Sequence, residues 1–140
     1  MPHLSRFKLN KKAEDELIKN LELILAKLSK EEEMKEFLLS LLTSTERLML
    51  AKRLAMAVLI KEGVAESHIS DTLHVTRETV SRMQLFLEAR GKGYESAFKK
   101  LRNDKLLREF KSFLIDLVKY VAFASHSKVK TKEFYKLFTQ

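Results

Sequence analysis

Between Lys11 and Leu28 the apolar residues Ala13, Leu17, Leu21, Ile24, Leu25 and Leu28 recur at spacings of three and four, which places them in one stripe along a helix. Ser29 followed by Glu32 has the form of a capping box, in which the hydroxyl accepts from an orphan amide and the carboxylate reaches back to the chain. A second helix is therefore predicted from about Lys30, burying Met34, Phe37, Leu38 and Leu41. Its first turn holds Glu31, Glu32 and Glu33, where carboxylates complement the helix dipole. Thr43 with Glu46 repeats the capping pattern, and a third helix is predicted from Ser44 to Glu62 with Gly63 as its stop. Leu48, Leu50, Ala51, Leu54, Ala55, Ala57, Val58 and Leu59 spread over a broad face of it, as expected at the centre of a bundle or a dimer.

Two short periodic segments follow, Glu66 to Leu73 and Arg77 to about Ala89, joined by His74, Val75 and Thr76. Two helices that cross steeply need apolar or small residues at their contact and a turn that tolerates unusual backbone angles. Ile69, Leu73, Val75, Val80 and Met83 fill the apolar positions, Ser70 the small one, and Thr76 can cap the second helix. His74 stands where a helix-turn-helix usually has glycine, so a strained positive φ is expected there. An ordinary helical hairpin is the plainer alternative. Gly91, Lys92 and Gly93 are read as a helix-terminating turn, because no strand precedes them and no GK[ST] follows.

Beyond them the pattern predicts a short helix ending near Leu101, a long one from about Asp104 to Ser125, and a last turn or two from Thr131. The long helix is expected to bury Leu106, Leu107, Phe110, Phe113, Leu114, Leu117, Val118 and Val121. Phe134, Leu137 and Phe138 form a final apolar patch, read as a docking face and not a membrane anchor.

Composition narrows the class. In 140 residues there are 3 Gly, 1 Pro and no Cys, with 45% hydrophobic and 33% charged residues. That supports a packed core, lacks the punctuation of a many-turned sandwich or barrel, and removes disulfide scaffolds and cysteine chemistry. An all-α helical bundle is predicted, with residues 1–93 carrying the N-terminal helices and the motif at about 66–89, and residues 94–140 forming a helical extension packed on the same domain. The start, MPHLSRFKLNKK, has no secretory apolar core, and Phe113 to Ala124 is short and broken by Asp116 and Lys119. A cytoplasmic, membrane-free protein is expected.

The net charge of +8 is unevenly placed. Residues 13–46 are acidic, whereas residues 91–111 hold seven cations against three anions. A polyanionic partner fits such basic blocks, and so does a solvated lysine-rich surface. His3, His68, His74 and His126 lack the spacing of a metal site. No catalytic triad order, carboxylate pair or nucleotide loop is evident, so neither enzymatic activity nor a cofactor is expected.

If the motif is a helix-turn-helix, Val80, Met83 and Leu87 face inward and leave Arg77, Glu78, Ser81 and Arg82 on or near the outer face of the second helix's first two turns. Arginine donates two bonds to guanine, glutamate accepts from cytosine, and serine serves either, so these residues can address base edges. Thr76 and Thr79 stand in the same first turn, and Ser67 and His68 open the preceding helix, where free amides meet phosphate. Sequence-specific binding of duplex DNA by a homodimeric transcriptional regulator is the expectation. The rival is a protein-interaction adaptor of the transcription machinery, favoured by the charge of only −1 over residues 66–90. RNA binding ranks third, since the motif lacks interleaved aromatics.

The stretch LLTSTERLMLAKRLAMAVLIKEGVAESHISDTLHVTRETVSRM resembles the Trp repressor family. The likeness rests on the capped Thr43 start, Arg53, the stop at Gly63 and the segment Thr79 to Arg82, and extends from about Glu31 to Tyr94. It implies an all-helical fold, an intertwined homodimer and repression by operator binding. Members that bind tryptophan stack the indole between two arginines, which correspond here to Arg53 and Arg82, with a threonine at Thr79. The glycine that leaves room for the ligand is Met83 in this chain. A thioether there would fill the indole's volume, so no response to tryptophan is expected. Arg53 and Arg82 would then serve phosphate contacts or structural ion pairs.

Overall fold

The computed structural model describes residues 6–126. Among them the chain forms seven helices and no strand: α1 (Lys11–Lys27), α2 (Glu31–Leu41), α3 (Ser44–Lys61), α4 (Glu66–Leu73), α5 (Arg77–Arg90), α6 (Lys92–Lys100) and α7 (Lys105–His126). The all-α class read from the sequence is thus the observed one. The last turns expected from Thr131 and the patch of Phe134, Leu137 and Phe138 lie outside the described residues.

The chain divides into two compact units, one ending at Arg47 and the other starting at Leu48. This division falls inside α3. Within the second unit α7 packs along α4, α4 on α5 and α5 on α6.

In the first unit, Asn10 caps α1 by accepting from the Ala13 amide at 2.8 Å. Of the apolar stripe on α1, Leu17, Leu21 and Ile24 are exposed, and Ala13, Leu25 and Leu28 half-buried. Helix α2 begins after Lys30, which makes no side-chain cap bond. Ser29 therefore lies one residue outside the cap position, and the Ser29–Glu32 box does not form. Met34, Phe37 and Leu38 are half-buried and Leu41 exposed, so α2 too has an incompletely covered face.

The second capping box is present. The Thr43 amide donates to Glu46 Oε2 at 2.7 Å, and the Glu46 amide donates to Thr43 Oγ1 at 3.2 Å. The bond from the Thr43 backbone amide, and after it the Thr43 hydroxyl beside the carboxylate, hold the Glu46 carboxyl below its ordinary pKa.

The second unit contains the core. Ala55 to Leu59 are buried without a break, while Leu48, Leu50 and Leu54 earlier in α3 stay exposed. Gly63 ends the helix in the left-handed region at φ 77. Its amide donates to the Ile60 carbonyl, and the Val64 amide to the Leu59 carbonyl. This pairing is the Schellman arrangement, and Val64 packs on the core that Leu59 occupies.

Ile69, Leu73, Val80, Met83, Phe98, Leu107, Leu114 and Val118 complete that core. Of the positions expected to be buried in α7, Phe110, Leu117 and Val121 are half-buried, and Leu106 and Phe113 exposed. Gly91 ends α5, as a helix-terminating turn requires, and α6 starts directly after it at Lys92. A Cβ at Gly91 would lie 2.2 Å from the Leu87 carbonyl oxygen, so the close approach requires glycine. No described helix is long and apolar enough to cross a membrane.

Candidate nucleic-acid interface

The unit formed by α4, α5 and the turn between them is fixed by a small set of polar bonds. His74 ends α4 at φ 51, ψ 53, in the left-handed region anticipated for it. Its amide and that of Val75 both donate to the Ser70 carbonyl. The Ser70 hydroxyl in turn donates to the Val75 carbonyl at 2.6 Å. Thr76 Oγ1 then accepts from the Thr79 amide at 3.1 Å and lies 2.8 Å from Thr79 Oγ1. A small hydroxyl residue at 70 thus satisfies the turn, and a threonine at 76 starts the next helix.

His74 has a Cβ that left-handed backbone disfavours by about 1–2 kcal/mol. His74→Gly is therefore expected to raise the unfolding free energy by about 0.5–1 kcal/mol, part of the relief being offset by the greater freedom of glycine in the unfolded chain. His74→Val is expected to lower it by about 1 kcal/mol or more. Urea denaturation of the three proteins checks the order.

Below the turn, Ile69, Thr72 and Leu73 of α4 meet Val80 and Met83 of α5, all buried. The Thr72 hydroxyl donates to the His68 carbonyl at 2.6 Å, which satisfies it inside the core. Burial of positions 80 and 83 turns the opposite side of α5 outward, and Arg77, Glu78, Thr79 and Arg82 are exposed there. Arg82 and Glu78 form an ion pair one turn apart, each side chain about 72% exposed. In that setting the pair adds little stability and leaves both groups open to a partner.

Ser81 differs from its expected outward placement. It is half-buried, and its hydroxyl donates to Glu66 Oε2 at 2.7 Å. Position 81 adjoins the buried Val80 and so faces the start of α4. This staple between residues 15 apart has no local spacing that could have announced it.

At the start of α4, Ala65 occupies the cap position without a side-chain cap bond, so the first amides of the helix have no capping oxygen. Ser67 there is half-buried and His68 exposed. Together with Asp71, Arg77, Val118 and Val121 they line a groove of about 270 Å³ between α4, the first turn of α5 and the far part of α7. The participation of α7 was not legible in the sequence.

The residues considered for an effector are differently placed. Arg53, Thr79 and Arg82 are exposed, and Met83 is buried in the core at 7% exposure. Among the described residues no group of three or more histidines and carboxylates could hold a metal ion.

Comparison with known proteins gives a family match. The model of a family described as Trp repressor protein covers residues 16–102, from within α1 to just past α6. No curated protein and no solved structure matches the chain.

Proposed function

The chain belongs to the Trp repressor family, which is a family of DNA-binding regulators and not of enzymes, and from that premise we propose that it is a homodimeric repressor binding duplex DNA in a sequence-specific manner through α5. The observation that carries this reading is the exposure of Arg77, Glu78, Thr79 and Arg82 on a helix anchored by buried Val80 and Met83. Arg77 and Arg82 address guanine and Glu78 cytosine, while the uncapped start of α4 with Ser67 and His68, together with Thr76, approaches phosphate. Ser81 acts through its bond to Glu66, fixing the angle between the helices.

Dimerisation draws on the apolar surface that one chain leaves uncovered. Leu17, Leu21 and Ile24 of α1, Leu41 of α2, and Leu48, Leu50 and Leu54 of α3 are all exposed. Isolated exposed leucines are ordinary, but this many on three consecutive helices call for a partner. A second copy supplies the same stripes in return, as a two-fold interface requires, and sets two α5 helices about 34 Å apart, one DNA turn. Light scattering is expected to give about 33 kDa, twice the 16.3 kDa chain. A monomer at micromolar concentration would contradict the dimer, and duplex binding without salt dependence would contradict the DNA reading.

Met83, buried at 7% exposure, supports the reading that its thioether occupies the volume an indole would need beside Arg82. Calorimetric titration with L-tryptophan is accordingly expected to show no binding heat, and micromolar affinity would overturn the assignment of Met83.

A docking role toward another protein of the transcription machinery is the second reading. It is favoured by Leu85 and Phe86, both exposed on α5, and by the acidic Glu66 and Asp71 beside the motif. Under this reading duplex binding would be weak and a protein partner would compete for α5.

A further inference from the structure

Four cations from separate parts of the chain converge on one groove outside the helix-turn-helix. Lys61 at the end of α3, Lys99 in the last turn of α6, Arg102 after α6 and Lys111 in α7 line it together with Phe98, enclosing about 300 Å³. The Lys61 ammonium sits 5.2 Å from the centroid of the Phe98 ring, itself buried, so the ring face holds that charge at the groove wall. Lys111 pairs with Glu62 at 3.0 Å, both side chains being little more than one-third exposed. No carboxylate lines the groove itself.

A basic run on a solvated helix would spread its charges around the helix. Here they are gathered from α3, α6 and α7 onto one concave site, a placement that suits an anion carrying several charges.

Helix α7 connects this groove with the interface described above. It contributes Lys111 to the basic groove, and Val118 and Val121 to the groove beside Ser67, His68 and Arg77. The two sites are therefore about 10–15 Å apart along the α7 axis at 1.5 Å per residue. A strand of B-DNA carries a phosphate about every 3.4 Å along the axis and borders a major groove about 12 Å wide, so a duplex engaged by α5 has phosphates at that range.

We propose that the Lys61, Lys99, Arg102 and Lys111 groove is a second phosphate-contact site, gripping the backbone of the same duplex and adding affinity without sequence preference. The proposal rests on the DNA reading of α5 and adds to it a function for α7, which lies beyond the family match.

The test compares the salt dependence of binding for the full chain, for the triple variant Lys99→Ala, Arg102→Ala, Lys111→Ala, and for a control of equal charge change, Lys12→Ala, Lys19→Ala, Lys35→Ala. Each is titrated with a selected operator duplex and with an unrelated duplex, after its melting curve is matched to the parent protein. The groove variant is expected to lose about two to three units of the slope of log K against log salt, and roughly 10- to 100-fold in affinity near physiological salt, equally on both duplexes. The control is expected to keep the parent slope. An unchanged slope in the groove variant, or an equal loss in the control, would overturn the proposal. Failure here with Arg77→Ala still reducing operator preference would leave the α5 reading standing, whereas absence of duplex binding by the parent protein would remove both.

Discussion

Ile69→Ala lowers the unfolding free energy by about 2–5 kcal/mol, the range for deleting three buried carbons and leaving a cavity. Ile69 is fully buried in α4, where it joins Leu59, Val80, Leu114 and Val118 in one cluster. Helix α4 packs on both α5 and α7, so no single neighbour can move in to fill the space. Against a total stability of about 5–15 kcal/mol for an ordinary domain, such a loss brings the motif near unfolding. Leu106→Ala is the matched comparison: Leu106 is 66% exposed at the start of α7, and its truncation is expected to change stability by no more than about 0.5 kcal/mol. Guanidinium denaturation of the two variants decides whether α7 is held to the motif through the Ile69 side of the core.

Arg77→Ala is expected to lower affinity for a selected operator by about 10- to 100-fold, corresponding to about 1–3 kcal/mol for one lost bidentate base contact. Arg82→Ala has the same direction, but its guanidinium already bonds to Glu78, so part of its contribution is offset by breaking that pair. Both variants should reduce discrimination between operator and unrelated duplex, because base contacts specify while phosphate contacts position. Neither side chain is buried, so stability should remain within about 0.5 kcal/mol of the parent. Fluorescence anisotropy with the two duplexes, beside a melting curve, separates lost recognition from lost folding.

The helices themselves were legible because their signals are local. The period of apolar residues and the caps at Thr43 and Thr76 act within one turn, and the predicted limits of α1, α3, α4 and α7 agree with the observed ones to within one or two residues. The left-handed His74 followed from its place in a known steric pattern.

The Ser29 box failed because two registers of the same signal overlap. Lys30 takes the cap position that Ser29 was expected to hold, one residue displaces the hydroxyl, and the carboxylate run Glu31–Glu33 accommodates either start.

Burial was less legible. An amphipathic stripe states which face of a helix needs cover, not whether the same chain provides it. Leu17 and Leu21 have the pattern of buried residues and remain exposed, while Leu107 and Leu114, with the same pattern, are buried. The difference is tertiary: within the second unit α7 packs along α4, whereas α1 holds no buried residue. Ser81 was misplaced for a related reason. Helical spacing puts it beside Val80, but only the three-dimensional approach of Glu66 draws it inward.

Selection from a random duplex library, with the parent protein and Arg77→Ala in parallel, tests whether the exposed first turns of α5 read DNA sequence. One enriched, two-fold symmetric motif is expected, with half-sites centred about one helical turn apart, and that enrichment is expected to be lost in Arg77→Ala. No enriched motif from the parent protein, or the same motif recovered with Arg77→Ala, would contradict that role of α5.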